Sequence, residues 1–143
     1  LPDGEFHKYG GDDSLKKILI VDDDPDLQEG QKVFLEGQGY EVLTAGGAEE
    51  GLEVLKRVIP NLILVDLMME HYDAGFVFCA KVRKNPDLAD VPIIMQTGAR
   101  DKLGFTPESY DEKARSWMKA DQILTKPVPL EDLLKTIQQY LVG

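Results

Sequence analysis

Four short apolar runs in this chain each end on a residue that can bind an ion or react. Ile18-Leu19-Ile20-Val21 runs into Asp22-Asp23-Asp24, and Leu62-Ile63-Leu64-Val65 runs into Asp66. Pro92-Ile93-Ile94-Met95-Gln96 runs into Thr97, and Gln122-Ile123-Leu124-Thr125 runs into Lys126-Pro127. Two adjacent carboxylates facing a third repel one another unless something pairs with them. A hard divalent cation relieves that repulsion, and Mg2+ accepts a few carboxylate oxygens while keeping waters for a phosphate-bearing substrate. Thr97 can donate a hydrogen bond to a phosphoryl oxygen, and Lys126 can neutralise its charge. A carboxylate can also act as a nucleophile and become an aspartyl phosphate. Asp66, alone at its strand end and opposite the acid pair, is the candidate for that role.

Taken one at a time, these residues have ordinary uses. Acids before a helix serve as caps and dipole partners, the reading preferred for Asp24. A single Asp or Thr can be a turn residue, and a single Lys is most often a solvated charge. Joint placement favours chemistry, because four unrelated surface residues need not converge on one edge.

The elements that must position them follow from hydrophobic periodicity. Short Ile, Val and Leu runs separated by helical patterns read as strands of a parallel sheet buried on both faces. In such an open α/β sheet, ligands bind outside the carboxyl ends of the strands. From Lys16 onward the chain reads as five strand-then-helix units. Asp24 and Pro25 cap and open the first helix, with Leu27 and Phe34 two turns apart, and Gly37 and Gly39 end it before a strand over 41–45. Ala48, Leu52, Leu55 and Ile59 mark a second amphipathic helix stopped by Pro60, and residues 75–84 form a third. Thr106-Pro107-Glu108 opens a fourth, with Tyr110, Ala114, Trp117 and Met118 on one face. Leu130, Leu133, Leu134, Ile137 and Leu141 give the last helix a continuous apolar stripe.

Bulk properties narrow the function. The 143-residue length suits one domain, and 43% hydrophobic content supplies a real core. A formal charge of −10 argues against a nucleic-acid surface. No apolar stretch approaches the ~20 residues needed to cross a bilayer, so membrane insertion is not expected. The one cysteine, Cys79, falls in a helical pattern with Phe76, Ala80 and Arg83 and reads as a buried structural thiol. These properties fit a cytoplasmic protein. Residues 1–15 lack periodicity and carry Gly4, Gly10, Gly11 and the pair Asp12-Asp13. They read as a flexible leader, a linker or an expression remnant, with residues 16–143 as the domain.

The string from Ile18 to Pro25, the Asp66 site, Thr97-Gly98 and Lys126-Pro127 together resemble a response-regulator receiver domain, in order and over about Lys16 to Val142. The resemblance implies a flavodoxin-like (βα)5 doubly wound sheet of order 2-1-3-4-5. It implies a two-component signalling switch phosphorylated on Asp66 by a histidine kinase or a phosphotransfer protein. Asp23 and Asp66 would bind Mg2+ directly, with the Met68 carbonyl as a third ligand and Asp22 acting largely through water. Thr97, the Gly98 amide and Lys126 would hold the phosphoryl oxygens, and a cis bond would precede Pro127. Such a domain is not a conventional enzyme but catalyses its own phosphorylation and dephosphorylation. Its output would pass to a downstream protein partner or to an output domain outside this chain, since the sixteen residues after Pro127 suffice for one helix only.

Several positions depart from the family pattern. Met69 is followed by Glu70 rather than Pro, and the segment to Asp73-Ala74-Gly75 is longer by one residue. Glu70 and His71 are therefore expected to alter access to Asp66, His71 reading as an exposed loop residue. Thr97 to Lys126 is longer than usual, with Gly104 to Pro107 as extra loop. The strand-five position commonly Tyr or Phe is Ile123, so the longer segment rather than residue 123 is expected to carry the conformational change. Two rival functions stay open. A Mg2+-dependent phosphatase with an aspartate nucleophile would use Asp22 and Asp24, and a receiver-like module could bind partners without phosphorylation.

Overall fold

Five runs of branched aliphatic residues form five strands: β1 (Lys17–Val21), β2 (Glu41–Ala45), β3 (Leu62–Asp66), β4 (Ile93–Thr97) and β5 (Gln122–Thr125). The computed structural model describes residues 15–67, 69, 74–98 and 112–141. The strands make one parallel sheet of order β2-β1-β3-β4-β5, as the resemblance implies. Every residue of β3 and β4 is buried, as expected of a parallel sheet covered on both faces.

Helices α1 (Pro25–Gly37), α2 (Ala48–Leu55), α3 (Ala74–Lys84), α4 (Glu112–Met118) and α5 (Leu130–Tyr140) supply the cover. Strand alternation divides the core into two layers. Leu19, Val21, Ile63, Val65, Ile93, Met95 and Ile123 pack with residues of α2, α3 and α4, including Val54, Phe78, Cys79 and Met118. Ile18, Ile20, Leu62, Leu64 and Ile94 pack with Leu35 of α1 and with Leu133 and Ile137 of α5.

Asp24 caps α1 as its sequence position implies, its side chain accepting from the Asp26 and Leu27 amides at 3.0 and 3.2 Å. Leu27 and Phe34 are half-buried, and the innermost positions of α1 are Gln31 and Leu35. Gly39, at φ 97, makes the left-handed turn into β2. Helix α2 is shorter than its apolar pattern suggests. It ends at Leu55, because the Lys56 and Arg57 amides tighten onto Glu53 and Val54 three residues back. Ile59 therefore leaves the stripe and is 53% exposed. The chain then turns so that the Asn61 amide reaches the Lys17 carbonyl, while its side chain accepts from the Lys17 amide. In α3 the core face is Ala74, Gly75, Phe78, Cys79 and Val82, with Phe76 and Ala80 half-buried. Burial pushes the Cys79 thiol up to about 12, so it is an inert packing group, as its pattern indicates.

Glu70, His71, Asp73, residues 99–111 with Gly104 to Pro107 and Tyr110, and the leader up to Ser14 lie outside the described residues, as do the side chains of Ala114 and Trp117.

Candidate functional site

The carboxyl ends of β1, β3, β4 and β5 bring the sequence-selected residues to one edge. Each acid's environment follows from where its strand stops. Asp22 is the first residue beyond β1, its amide still bonded to the Ala45 carbonyl at 3.1 Å, and its side chain is buried. Asp23, one residue on, is exposed, and Asp66 closes β3 with only 7% exposure. One carboxylate oxygen from each of the three lies within 4.8 Å of the others. Three hard anionic oxygens this close suit Mg2+, which prefers carboxylate and water ligands. Met68, whose carbonyl the resemblance adds to this set, lies outside the described residues.

Lys126 arrives from the other side of the sheet. Its ammonium donates to Asp22 Oδ2 at 3.1 Å and lies 3.4 Å from Asp66 Oδ2. Burial alone would lower the lysine pKa. The charge of Asp66 and the hydrogen bond and charge of Asp22 outweigh it and hold the ammonium above its ordinary value. Lys126 is thus cationic throughout the physiological range, a single positive charge shared by two buried acids. Its backbone amide bonds to the Thr97 carbonyl at 2.9 Å, and the Lys126–Pro127 peptide is cis. Thr97 is 1% exposed at the end of β4, with Gly98 exposed beside it.

The loop after β1 is held by the side chains of Asp22 and Gln28, of which motif reading singled out only the first. Asp22 Oδ1 accepts from the Asp24 amide at 2.9 Å, and Gln28 Nε2 donates to the carbonyls of Asp22 and Ala45 at 3.0 and 2.7 Å. Asp24 points into α1 as its cap, so the acid that a phosphatase would need beside Asp22 is already engaged. On the face of the sheet opposite Thr97, Gln31 of α1 and Gln96 of β4 form a buried amide pair, with Nε2···Oε1 distances of 2.9 and 3.4 Å. Gly75 packs against the chain after Asp66: its amide bonds to the Leu67 carbonyl at 2.7 Å, and a Cβ there would meet the Asp66 carbonyl oxygen and come 2.6 Å from Leu67 Cα. Only glycine fits that approach.

The amino-terminal edge of the sheet has a different chemistry. Arg83 donates to the carbonyls of Lys119, Leu88, Ala89 and Val91 and to Asp121 Oδ2, which also accepts from the Ile93 amide. This guanidinium ties α3 to the starts of β4 and β5 and is a structural staple. No sequence motif marked it, because its partners are mainly backbone carbonyls.

A family model described as the response regulator receiver domain matches residues 18–138. Among curated proteins, the chain is similar to the DNA-binding dual master transcriptional regulator RpaA of Synechocystis. The two are 32% identical over 130 residues, covering 89% of this chain and 49% of RpaA. A 14.6 kDa protein of Leptolyngbya boryana is 36% identical over 127 residues, 88% of this chain and 90% of that protein. The solved structure of the chemotaxis response regulator CheY4 of Vibrio cholerae matches with a TM-score of 0.76 at 31% identity, covering 89% of this chain and 99% of that one. The chain therefore spans about half the length of RpaA and nearly all of the other two.

Proposed function

Because the chain belongs to the response-regulator receiver family and is a receiver domain of two-component signalling, we propose that it is a phosphorylation switch whose acceptor is Asp66. The observation that carries this reading is the Asp22–Lys126–Asp66 bridge, in which two buried carboxylates share one ammonium beside the exposed Asp23. The donor is the phosphohistidine of a histidine kinase or a phosphotransfer protein. A carboxylate oxygen of Asp66 attacks phosphorus; the O–P bond forms as the N–P bond breaks, and the imidazole leaves with the bonding pair and takes a proton from solvent. Lys126 is already in reach of Asp66 and neutralises the transferred group. Thr97 and the Gly98 amide donate to its remaining oxygens.

Mg2+ bound by Asp23 and Asp66, with Asp22 through water and the Met68 carbonyl, would offset the charge of the acids and of the incoming phosphoryl group. On this reading residues 16–143 belong to the receiver domain, and residues 1–15 are a leader, a linker or an expression remnant. Output passes to a partner protein or to an output domain outside these residues. Direct nucleic-acid contact is disfavoured by the −10 charge. No helix among the described residues is long and apolar enough to cross a membrane. A cytoplasmic site of action follows from the receiver reading itself.

Acetyl phosphate with Mg2+ should add one acid-labile phosphate, read by intact mass, and none in excess chelator. Asp66→Asn should stay folded and unmodified. Full labelling of that variant would assign the acceptor elsewhere.

A further inference from the structure

Thr125 is the last residue of β5 and the register partner of Thr97 on β4. Two residues earlier, the partners Met95 and Ile123 are both buried in the layer beneath α2, α3 and α4. Side chains alternate along a strand, and in-register neighbours share a face. Thr97 and Thr125 therefore stand side by side on the rim of that layer, at the edge that holds the acids.

The Thr125 hydroxyl oxygen is shielded from water and has no hydrogen-bond partner among the described residues. A buried hydroxyl in that state is costly, and valine would fill the same volume without the cost. The position becomes intelligible if the hydroxyl gains its partner in a second state of the site. A hydroxyl carries one proton and two lone pairs, so Thr97 can donate to a phosphoryl oxygen and still accept from a neighbour. In-register side chains on neighbouring strands stand about 4.8 Å apart on one face, so a turn about χ1 can aim one threonine hydroxyl at the other. The backbone already links the two strand ends through the Lys126 amide and the Thr97 carbonyl.

We propose that Thr125 is a positioning residue for the phosphorylated state, its hydroxyl donating to Oγ1 of Thr97 while Thr97 donates to the phosphoryl group on Asp66. The inference rests on Asp66 being the phosphoacceptor. A chain of two hydroxyls ending on an anion polarises along its length, which strengthens both bonds and fixes the Thr97 rotamer. The dipeptide Thr125-Lys126 then serves the site twice, by a hydroxyl acting through Thr97 and by an ammonium acting directly.

The test compares the full chain with Thr125→Val and Thr125→Ser, using beryllofluoride with Mg2+ as the phosphoryl mimic. Without the mimic, Thr125→Val should melt at or above the wild-type temperature, since it removes an unpaired buried hydroxyl. With the mimic it should bind about fivefold more weakly, the worth of one neutral hydrogen bond. Thr125→Ser should bind within about twofold of wild type on the same reasoning. A Thr125→Val protein that binds the mimic like wild type overturns the proposal. So does one that melts lower at rest with unchanged mimic affinity, because the hydroxyl then has a resting partner and a structural role. A wild-type chain that takes neither the mimic nor phosphate from acetyl phosphate would instead remove the phosphoacceptor reading, and this inference with it.

Discussion

Replacing Gln96 by Met should destabilise the domain far more than replacing Gln31 and Gln96 together. The two amides are 3% and 1% exposed and are joined through Nε2 and Oε1, one contact at 2.9 Å and the reciprocal one at 3.4 Å. Removing either partner forfeits a neutral hydrogen bond and leaves the other amide dry and unpaired, at a cost of about 2–3 kcal/mol. Met matches Gln in length and adapts to irregular space, so the double variant loses the pair without an orphan and should lie within about 1 kcal/mol of wild type. The coupling between the sites should therefore be about 3 kcal/mol or more, well outside the few tenths expected of independent positions. Urea unfolding of the four proteins at constant m-value reads it directly. Single variants that each cost under about 0.5 kcal/mol, or a double variant as unstable as the sum, would refute the reasoning. The result matters at the site because Gln96 directly precedes Thr97 and its carbonyl accepts from the Leu67 amide at 3.0 Å, just beyond Asp66.

Two further outcomes follow from the same edge of the sheet. Gly75→Ala should cost about 2–4 kcal/mol or displace the Asp66 carbonyl, because the added methyl collides with backbone that cannot move independently; chemical denaturation and phosphate uptake from acetyl phosphate should both fall, and a fully stable, fully active variant would contradict the packing. The stability that Lys126 adds depends on pH with a definite sign. Its folded pKa is raised above the ordinary 10.5, so its contribution is fully present below that value and is lost as pH rises through the folded pKa. Wild type minus Lys126→Met, measured in chelator by denaturant unfolding, should be about 1–3 kcal/mol near neutrality and shrink above about pH 10.5. A difference that grows with alkalinity would mean that the ammonium does not neutralise Asp22 and Asp66.

The strands and their ends were legible in the chain because their signals are local. A buried parallel strand is a run of Ile, Val and Leu, and the residue that ends it lies on the ligand-binding edge whatever the rest of the chain does. Ile18 to Asp22, Leu62 to Asp66, Ile93 to Thr97 and Gln122 to Lys126 needed only that rule, and the Asp24 cap needed only its neighbours. Helix ends were less legible. Ile59 continues the apolar spacing of α2, yet the helix stops at Leu55 because Asn61 must reach Lys17 on β1, a contact that period counting does not contain.

What the tertiary structure alone decided are the pairings between distant residues. Asp22 and Asp23 are the same residue type one position apart, but the end of β1 buries the first and exposes the second. Lys126 lies 104 positions from Asp22, and nothing in either local sequence says that one ammonium will bridge that acid and Asp66. Gln31 and Gln96 lie 65 positions apart, and only the fold brings their amides together in the core. Arg83 enters the sequence pattern only as a helical neighbour of Cys79, and nothing local says that its guanidinium gathers backbone carbonyls. In each case the reason is the same. Burial of apolar residues is a property of one element's own pattern, whereas a buried polar group is tolerated only if a specific partner arrives from elsewhere in the fold.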